Sequence, residues 1–156
     1  MKNKKVIKVL LVIAVSLSLA YMLFFKIQSY LGQQALDATG LPRLEFQQAL
    51  QQAKQQDRYI LADISAIWCP TCRKLDKKIF SDTNVKKTIA QHYIFSRIEY
   101  ETDQGKAFMK RYNIKGFPSL LILDKDATVQ RRLALTFDPE LFVEYLTNFI
   151  EMNAVN

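Results

Sequence analysis

A chain of 156 residues, 49% of them apolar, has room for one domain with a sizeable core plus an appendage. The net charge of +7 does not mark a nucleic-acid binder: residues 1 to 30 hold five lysines and no acid, leaving 17 basic against 15 acidic residues beyond them. Clusters such as Arg73-Lys74 with Lys77-Lys78, or Lys110-Arg111, therefore read as solvated helix faces. Two cysteines and a single distant His92 cannot supply the roughly four ligands of a zinc site, and nothing in the sequence calls for a metal or a cofactor.

The appendage comes first. Lys2, Lys4, Lys5 and Lys8 precede Val9 to Phe25, seventeen residues without a charge, and Lys26 closes the run. As a helix it spans about 25 Å, enough for a bilayer core of about 30 Å once Val6 and Ile7 join and Lys8 snorkels. Cleavage as a signal peptide after Ser18-Leu19-Ala20 would leave Tyr21-Met22-Leu23-Phe24-Phe25 at an exposed new terminus, and no cysteine follows to accept a lipoprotein's acyl chains. Residues 1–26 thus read as an uncleaved signal anchor. The lysines hold the N-terminus in the cytoplasm and place the rest beyond the membrane, which is the periplasm in a Gram-negative cell. Glutamine and alanine dominate residues 27–43, which end in Thr39-Gly40-Leu41-Pro42 and read as a linker with a turn.

Residues 44–152 carry the domain. Phe46, Ala49, Leu50 and Ala53 keep helical spacing within a helix from Leu44 to Gln56, whose glutamines face water. Tyr59 to Ile67 is an apolar, strand-like run with one odd residue, Asp63. A buried carboxylate costs several kcal/mol unless paired, so Asp63 faces solvent, meets a lysine or serves the cysteines that follow. Next comes Trp68-Cys69-Pro70-Thr71-Cys72, both cysteines of the chain in a spacing that closes a disulfide across one helical turn. A charged helix from Arg73 to Phe80 follows. The pair therefore lies where a strand's end meets a helix's N-terminus, where unpaired N–H groups and the helix dipole favour a Cys69 thiolate. Pro70 suits the first turn, which needs no N–H. A purely structural bridge across so small a loop would constrain the unfolded chain little, and a helix N-terminus beside Trp68 is no place for inert buried thiols. Redox chemistry is the reading this favours.

Ser81-Asp82 caps a helix from Thr83 to Gln91, with His92 a surface residue at its end. Tyr93 to Tyr100 alternates as a strand, and Gln104 to Tyr112 forms the next helix. Ser119 to Leu123, the turn Asp124 to Ala127, and Thr128 to Leu135 read as a hairpin. Asp138-Pro139 caps a last helix whose Leu141, Phe142, Tyr145, Leu146, Phe149 and Ile150 form an apolar stripe. The order suits an α/β layer fold with a mixed sheet.

The stretch Tyr59 to Lys74 resembles the active-site strand and helix of thioredoxin-like proteins, with Asp63 six residues before Cys69, where thioredoxins keep a buried acid. Gly116-Phe117-Pro118-Ser119 with Leu120 to Leu123 looks like the loop and strand that carry the family's cis-proline. Glu45 to Lys54 and Ile79-Phe80-Ser81-Asp82 are similar to the soluble C-terminal domain of the transmembrane disulfide reductase DsbD and related exported thioredoxin-like proteins. The resemblance covers about Leu44 to Glu151 and implies a thioredoxin fold, a mixed central sheet flanked by helices.

It also implies a thiol-disulfide oxidoreductase in which Cys69 attacks a partner's disulfide, Cys72 resolves the mixed disulfide and Asp63 accepts the proton Cys72 must lose. Trp68, Phe117 and Pro118 would line the substrate groove. The partners implied are disulfide-containing proteins and a membrane electron donor. Ala134 stands where thioredoxins often carry a glycine near the groove. Pro70-Thr71 matches neither the Gly-Pro of thioredoxin nor the His-containing pair of strong oxidants, so intermediate to reducing behaviour is expected. An oxidase or isomerase, and a non-catalytic adaptor of a membrane assembly, are the alternatives. The intact cysteine pair argues against the adaptor.

Overall fold

The computed structural model describes residues 2–154; Met1, the first residue of the expected anchor, lies outside them. In a four-stranded sheet, β1 (Tyr59–Ser65) pairs in parallel with β2 (Tyr93–Glu99), which forms one edge. Strand β3 (Ser119–Leu123) runs antiparallel on the other side of β1, and β4 (Val129–Leu133) closes the edge, so the order is β2-β1-β3-β4. This mixed sheet is the one expected. Both faces of β1 are buried, which explains why its sequence reads as a nearly continuous apolar run.

Alternation along β1 and β2 divides the core in two. Ile60, Ala62, Ile64, Ile94 and Ile98 point to one face, where α2 (Phe46–Gln56) and α5 (Asp103–Arg111) bring Phe46, Ala49, Ala53 and Phe108. Leu61, Tyr93 and Phe95 point to the other, under α3 (Pro70–Leu75), α4 (Thr83–His92) and α6 (Pro139–Ala154). The helices begin where their capping residues dictate. The Asp82 carboxylate accepts the N–H groups of Asn84 and Val85 at 2.8 and 3.0 Å, the Thr102 hydroxyl that of Gly105 at 2.9 Å, and Asp138 that of Glu140 at 3.0 Å. The hairpin turn manages without glycine: Ala127 takes the left-handed φ of 63°, and the Asp124 carboxylate accepts the N–H groups of Asp126 and Thr128.

Two elements differ from expectation. Residues 27 to 39, most of the stretch 27–43 read as a linker, continue α1 (Lys2–Thr39) without a break. Glutamine and alanine are strong helix formers, and one face of this stretch is buried against the domain at Gly32, Ala35, Leu36 and Thr39. The helix stops at Gly40, which takes a φ of 65°, the turn expected before Pro42. Secondly, α3 ends after Leu75 in one π-helical turn, Asp76–Phe80, closed by the Ser81 N–H on the Asp76 carbonyl at 2.9 Å. The N-terminal half of α1 is an exposed apolar helix, a candidate membrane anchor.

The side chain of Phe142 is fully buried between α6 and the sheet, against Phe80. Its replacement by Ala should cost about 3–5 kcal/mol. Urea titration should show this as a lowered midpoint with an unchanged slope.

Candidate active site

The cysteine motif folds as the physics of a helix start requires. Cys69 is extended (φ −75°, ψ 119°) and is the N-cap of α3; its sulfur accepts the Cys72 N–H at 3.1 Å, and Pro70 occupies the first helical position. The two thiols are unbridged. Cys69 is 6% exposed and Cys72 1%, so Cys69 is the more accessible of two largely covered sulfurs. Ala66, Trp68, Tyr100 and Phe117 pack around them. The Trp68 and Phe117 rings meet edge to face at 5.6 Å, and Tyr100 lies 5.0 Å from Phe117. The Phe117-Pro118 peptide is cis and Pro118 is half-buried. The Trp68 indole N–H is buried with no acceptor among the described residues.

Behind the sulfurs lies a charged cluster. Asp63 is fully buried and paired, though not with the lysine considered above. The β1–β2 register sets Asp63 beside Arg97, whose Nη1 donates to Asp63 Oδ2 at 2.7 Å and to Asp76 Oδ1 at 2.7 Å, while Nη2 reaches Asp76 Oδ2 at 3.4 Å. The Ser65 hydroxyl donates to Asp63 Oδ1 at 2.7 Å. Two carboxylates thus share one guanidinium away from water, a net negative cluster. Burial raises Asp63 above the ordinary carboxylate range, and Arg97 and Ser65 pull it only part of the way back. Burial also pushes Asp76 up to about 6 against the pull of Arg97, with the Asp63 charge adding to the rise.

The cluster reaches the buried thiol. Burial pushes the Cys72 thiol strongly up; its hydrogen bond with Cys69 and the charges of Cys69 and Asp63 act the same way, against a hydrogen bond with the Ala66 main chain. The Glu99 carboxylate, itself raised by burial, accepts the Ile67 N–H at 3.1 Å and so holds the loop entering the motif. The arrangement offers one more accessible sulfur, a second beneath it that is hard to deprotonate, and a buried carboxylate, Asp63, whose charge reaches that second sulfur.

All the residues singled out in the sequence have a place here: Trp68, Cys69, Phe117 and Pro118 at the surface of the site, Cys72 and Asp63 buried. Arg97, Asp76, Ser65 and Glu99 were missed. Each left a signal. Asp63 and Arg97 are both the fifth residue of their strands, so in-register parallel pairing predicts their contact. Asp76 stands four residues after Cys72, hence on the same helix face.

Comparison with known proteins bears on this site. Residues 46–150 match the family described as a thioredoxin-like domain. The chain is 30% identical over 105 residues to the thiol:disulfide interchange protein DsbD of Escherichia coli strain K12, covering 65% of this chain and 18% of that protein. It is 26% identical over 112 residues to the UBX domain-containing protein 2 of Schizosaccharomyces pombe, covering 71% of this chain and 26% of that one. The chain thus spans about a fifth to a quarter of the length of the curated relatives it matches. Among solved structures, the DsbH oxidoreductase superposes with a TM-score of 0.63 at 19% identity, over 71% of this chain and 85% of that one, a likeness of fold.

The raised Asp76 fixes the sign of a pH dependence. Folded Asp76 holds its proton to about pH 6, whereas an unfolded aspartate releases it near 3.8, so its contribution is present below pH 4 and lost as pH rises through 6. The unfolding free energy of wild type relative to Asp76→Asn should therefore fall by about 2 kcal/mol between pH 4 and pH 7. Parallel urea titrations of the two proteins check it; a flat difference would place Asp76 ionised throughout.

Proposed function

The chain belongs to the thioredoxin-like domain family, and on that premise we propose that it is an exported, membrane-anchored thiol-disulfide oxidoreductase that reduces disulfides of partner proteins through Cys69 and Cys72. The observation that carries the reading is the pair itself, with Cys69 at the cap of α3 and Cys72 buried within reach of the charge of Asp63. The 30% identity to a protein named for thiol:disulfide interchange supports it. The anchor is the apolar half of α1, residues 1–26 by sequence, and the catalytic domain is residues 44–152. The lysines before the span support a domain outside the cytoplasm, which in a Gram-negative cell is the periplasm.

Cys69 attacks one sulfur of the partner's disulfide as a thiolate, forming the mixed disulfide and releasing the partner's other sulfur as a thiolate, which takes up a proton. Cys72 loses its proton to Asp63 and attacks Cys69; the Cys69–Cys72 disulfide forms and the second partner thiol leaves. The two electrons lost by the pair are those gained by the partner, and a dithiol donor, a membrane protein in this reading, restores the reduced form. Trp68, Phe117 and Pro118 form the wall along which the partner's chain lies. The acid pair around Arg97 lets the proton leave Cys72 near neutral pH, because carboxylates raised by burial are closer to a thiol in basicity.

Cys72→Ser should trap partners as mixed disulfides on Cys69, recoverable from membranes and lost on reduction, whereas Cys69→Ser should trap none. Equal trapping by both variants would overturn the assigned roles. Asp63→Asn leaves Arg97 paired with Asp76, a neutral couple, so the oxidised protein should be at least as stable as wild type. Its reduction of a disulfide at pH 7 should nonetheless be slower by about 10²-fold or more, in the step where Cys72 attacks. Lost stability with unchanged turnover, read by urea titration and by stopped-flow release of the partner thiol, would make Asp63 a structural ion-pair partner only.

A further inference from the structure

The active site is joined to the anchor by a rigid contact. Gly32 of α1 lies against the main chain of Ile67, the residue before Trp68, so closely that a Cβ on Gly32 would overlap the Ile67 carbonyl oxygen. Arg73, one residue past the motif, donates from Nη1 to Gln28 Oε1 at 2.7 Å. Phe25, the last residue of the charge-free run, places its ring 5.7 Å from that of Trp68. Three points of contact spread over two turns hold α1 to the loop and helix that carry the cysteines, and α1 itself is unbroken from Lys2 to Thr39.

From these contacts we infer that the thiols are held at the membrane surface and that the partner is a protein bound to the same membrane, with its disulfide close to the lipid headgroups. The inference rests on the anchored oxidoreductase reading above. Phe25 marks the end of the hydrocarbon, and Gly32 lies seven residues further, about 10 Å along the helix. The headgroup layer is about 5–8 Å thick on each side, so the cysteine loop sits just above it, nearer if the helix tilts. Trp68 stands on the membrane side of the sulfurs, because it is the residue that meets Phe25. A flexible tether of residues 27–43 would have let the domain sweep tens of ångströms and reach soluble proteins; a docked helix does not. A disulfide carried far above the bilayer is out of reach, and one on a membrane-embedded or membrane-anchored protein at headgroup height is presented repeatedly to Cys69.

Trp68 is the single tryptophan, so its fluorescence reports the height of the site without reference to activity. The full chain is reconstituted in phosphatidylcholine vesicles carrying a nitroxide on the headgroup, and binding is confirmed by co-flotation. Wild type should be quenched strongly. A ten-residue Gly/Ser insertion between Lys26 and Ile27 should abolish most of that quenching, and Gly32→Ala, which adds only the overlapping Cβ and favours helix, should reduce it. In the same vesicles, with dithiothreitol as the dithiol donor, a disulfide peptide is offered on lipid-anchored polyproline spacers of about 10 and about 60 Å. Wild type should reduce the short-spacer peptide at least tenfold faster, and the insertion variant should reduce both within about twofold. Unquenched Trp68 in vesicle-bound wild type, or equal rates on the two spacers, would overturn the inference while leaving the oxidoreductase intact. Failure of the detergent-solubilised chain to accelerate reduction of the free peptide over dithiothreitol alone would instead remove the proposed function, and this inference with it.

Discussion

Arg97 is the residue on which the chemistry of this fold depends. Its guanidinium sits under the sheet surface between Asp63 and Asp76, joining β2, β1 and the helix that bears the cysteines. Neither carboxylate could be kept so far from water without it, since an unpaired buried charge costs several kcal/mol. One cation for two acids is an incomplete match, however. Burial keeps both carboxylates above their ordinary range against the pull of Arg97, and the charge of Asp63 in turn opposes ionisation of Cys72. Stability and reactivity are thereby set by the same three side chains.

The geometry around the cluster follows from the strand register. Pairing Tyr59 with Tyr93 at the start of β1 and β2 carries Asp63 to Arg97 four residues on, and alternation turns both toward the helix layer that contains α3. The π-helical turn at Asp76–Phe80 then begins at the acid that completes the cluster. Such turns widen a helix by one residue and recur at functional sites. Here the turn keeps Asp76 inward while Ile79 and Phe80 remain in the core.

Two kinds of contact thus converge on the cysteine loop. From below, Glu99 holds the Ile67 N–H and the charge of Asp63 reaches Cys72. From the side, α1 presses Gly32 against the Ile67 main chain and Phe25 against Trp68. The loop is held on both sides of Ile67, which leaves little freedom for Trp68 and Cys69 to rearrange.

Read alone, the sequence already contains the local and chemical features: the thiol pair at a strand-to-helix junction, the caps at Asp82 and Asp138, the apolar span, and every strand and helix of the domain to within a few residues. These are short-range consequences of periodicity, proline and capping chemistry, and they are read from neighbours in the chain. It also marked Asp63 as out of place in an apolar strand. What it left open was the partner of Asp63, since Arg97 lies 34 positions away and their meeting is a property of pairing register. It likewise made residues 27–43 a tether, because glutamine and alanine give no amphipathic stripe. Only the tertiary structure decided that Gly32 and Ala35 form a docking face, for small residues declare an interface through the backbone that approaches them and leave no hydrophobic pattern of their own.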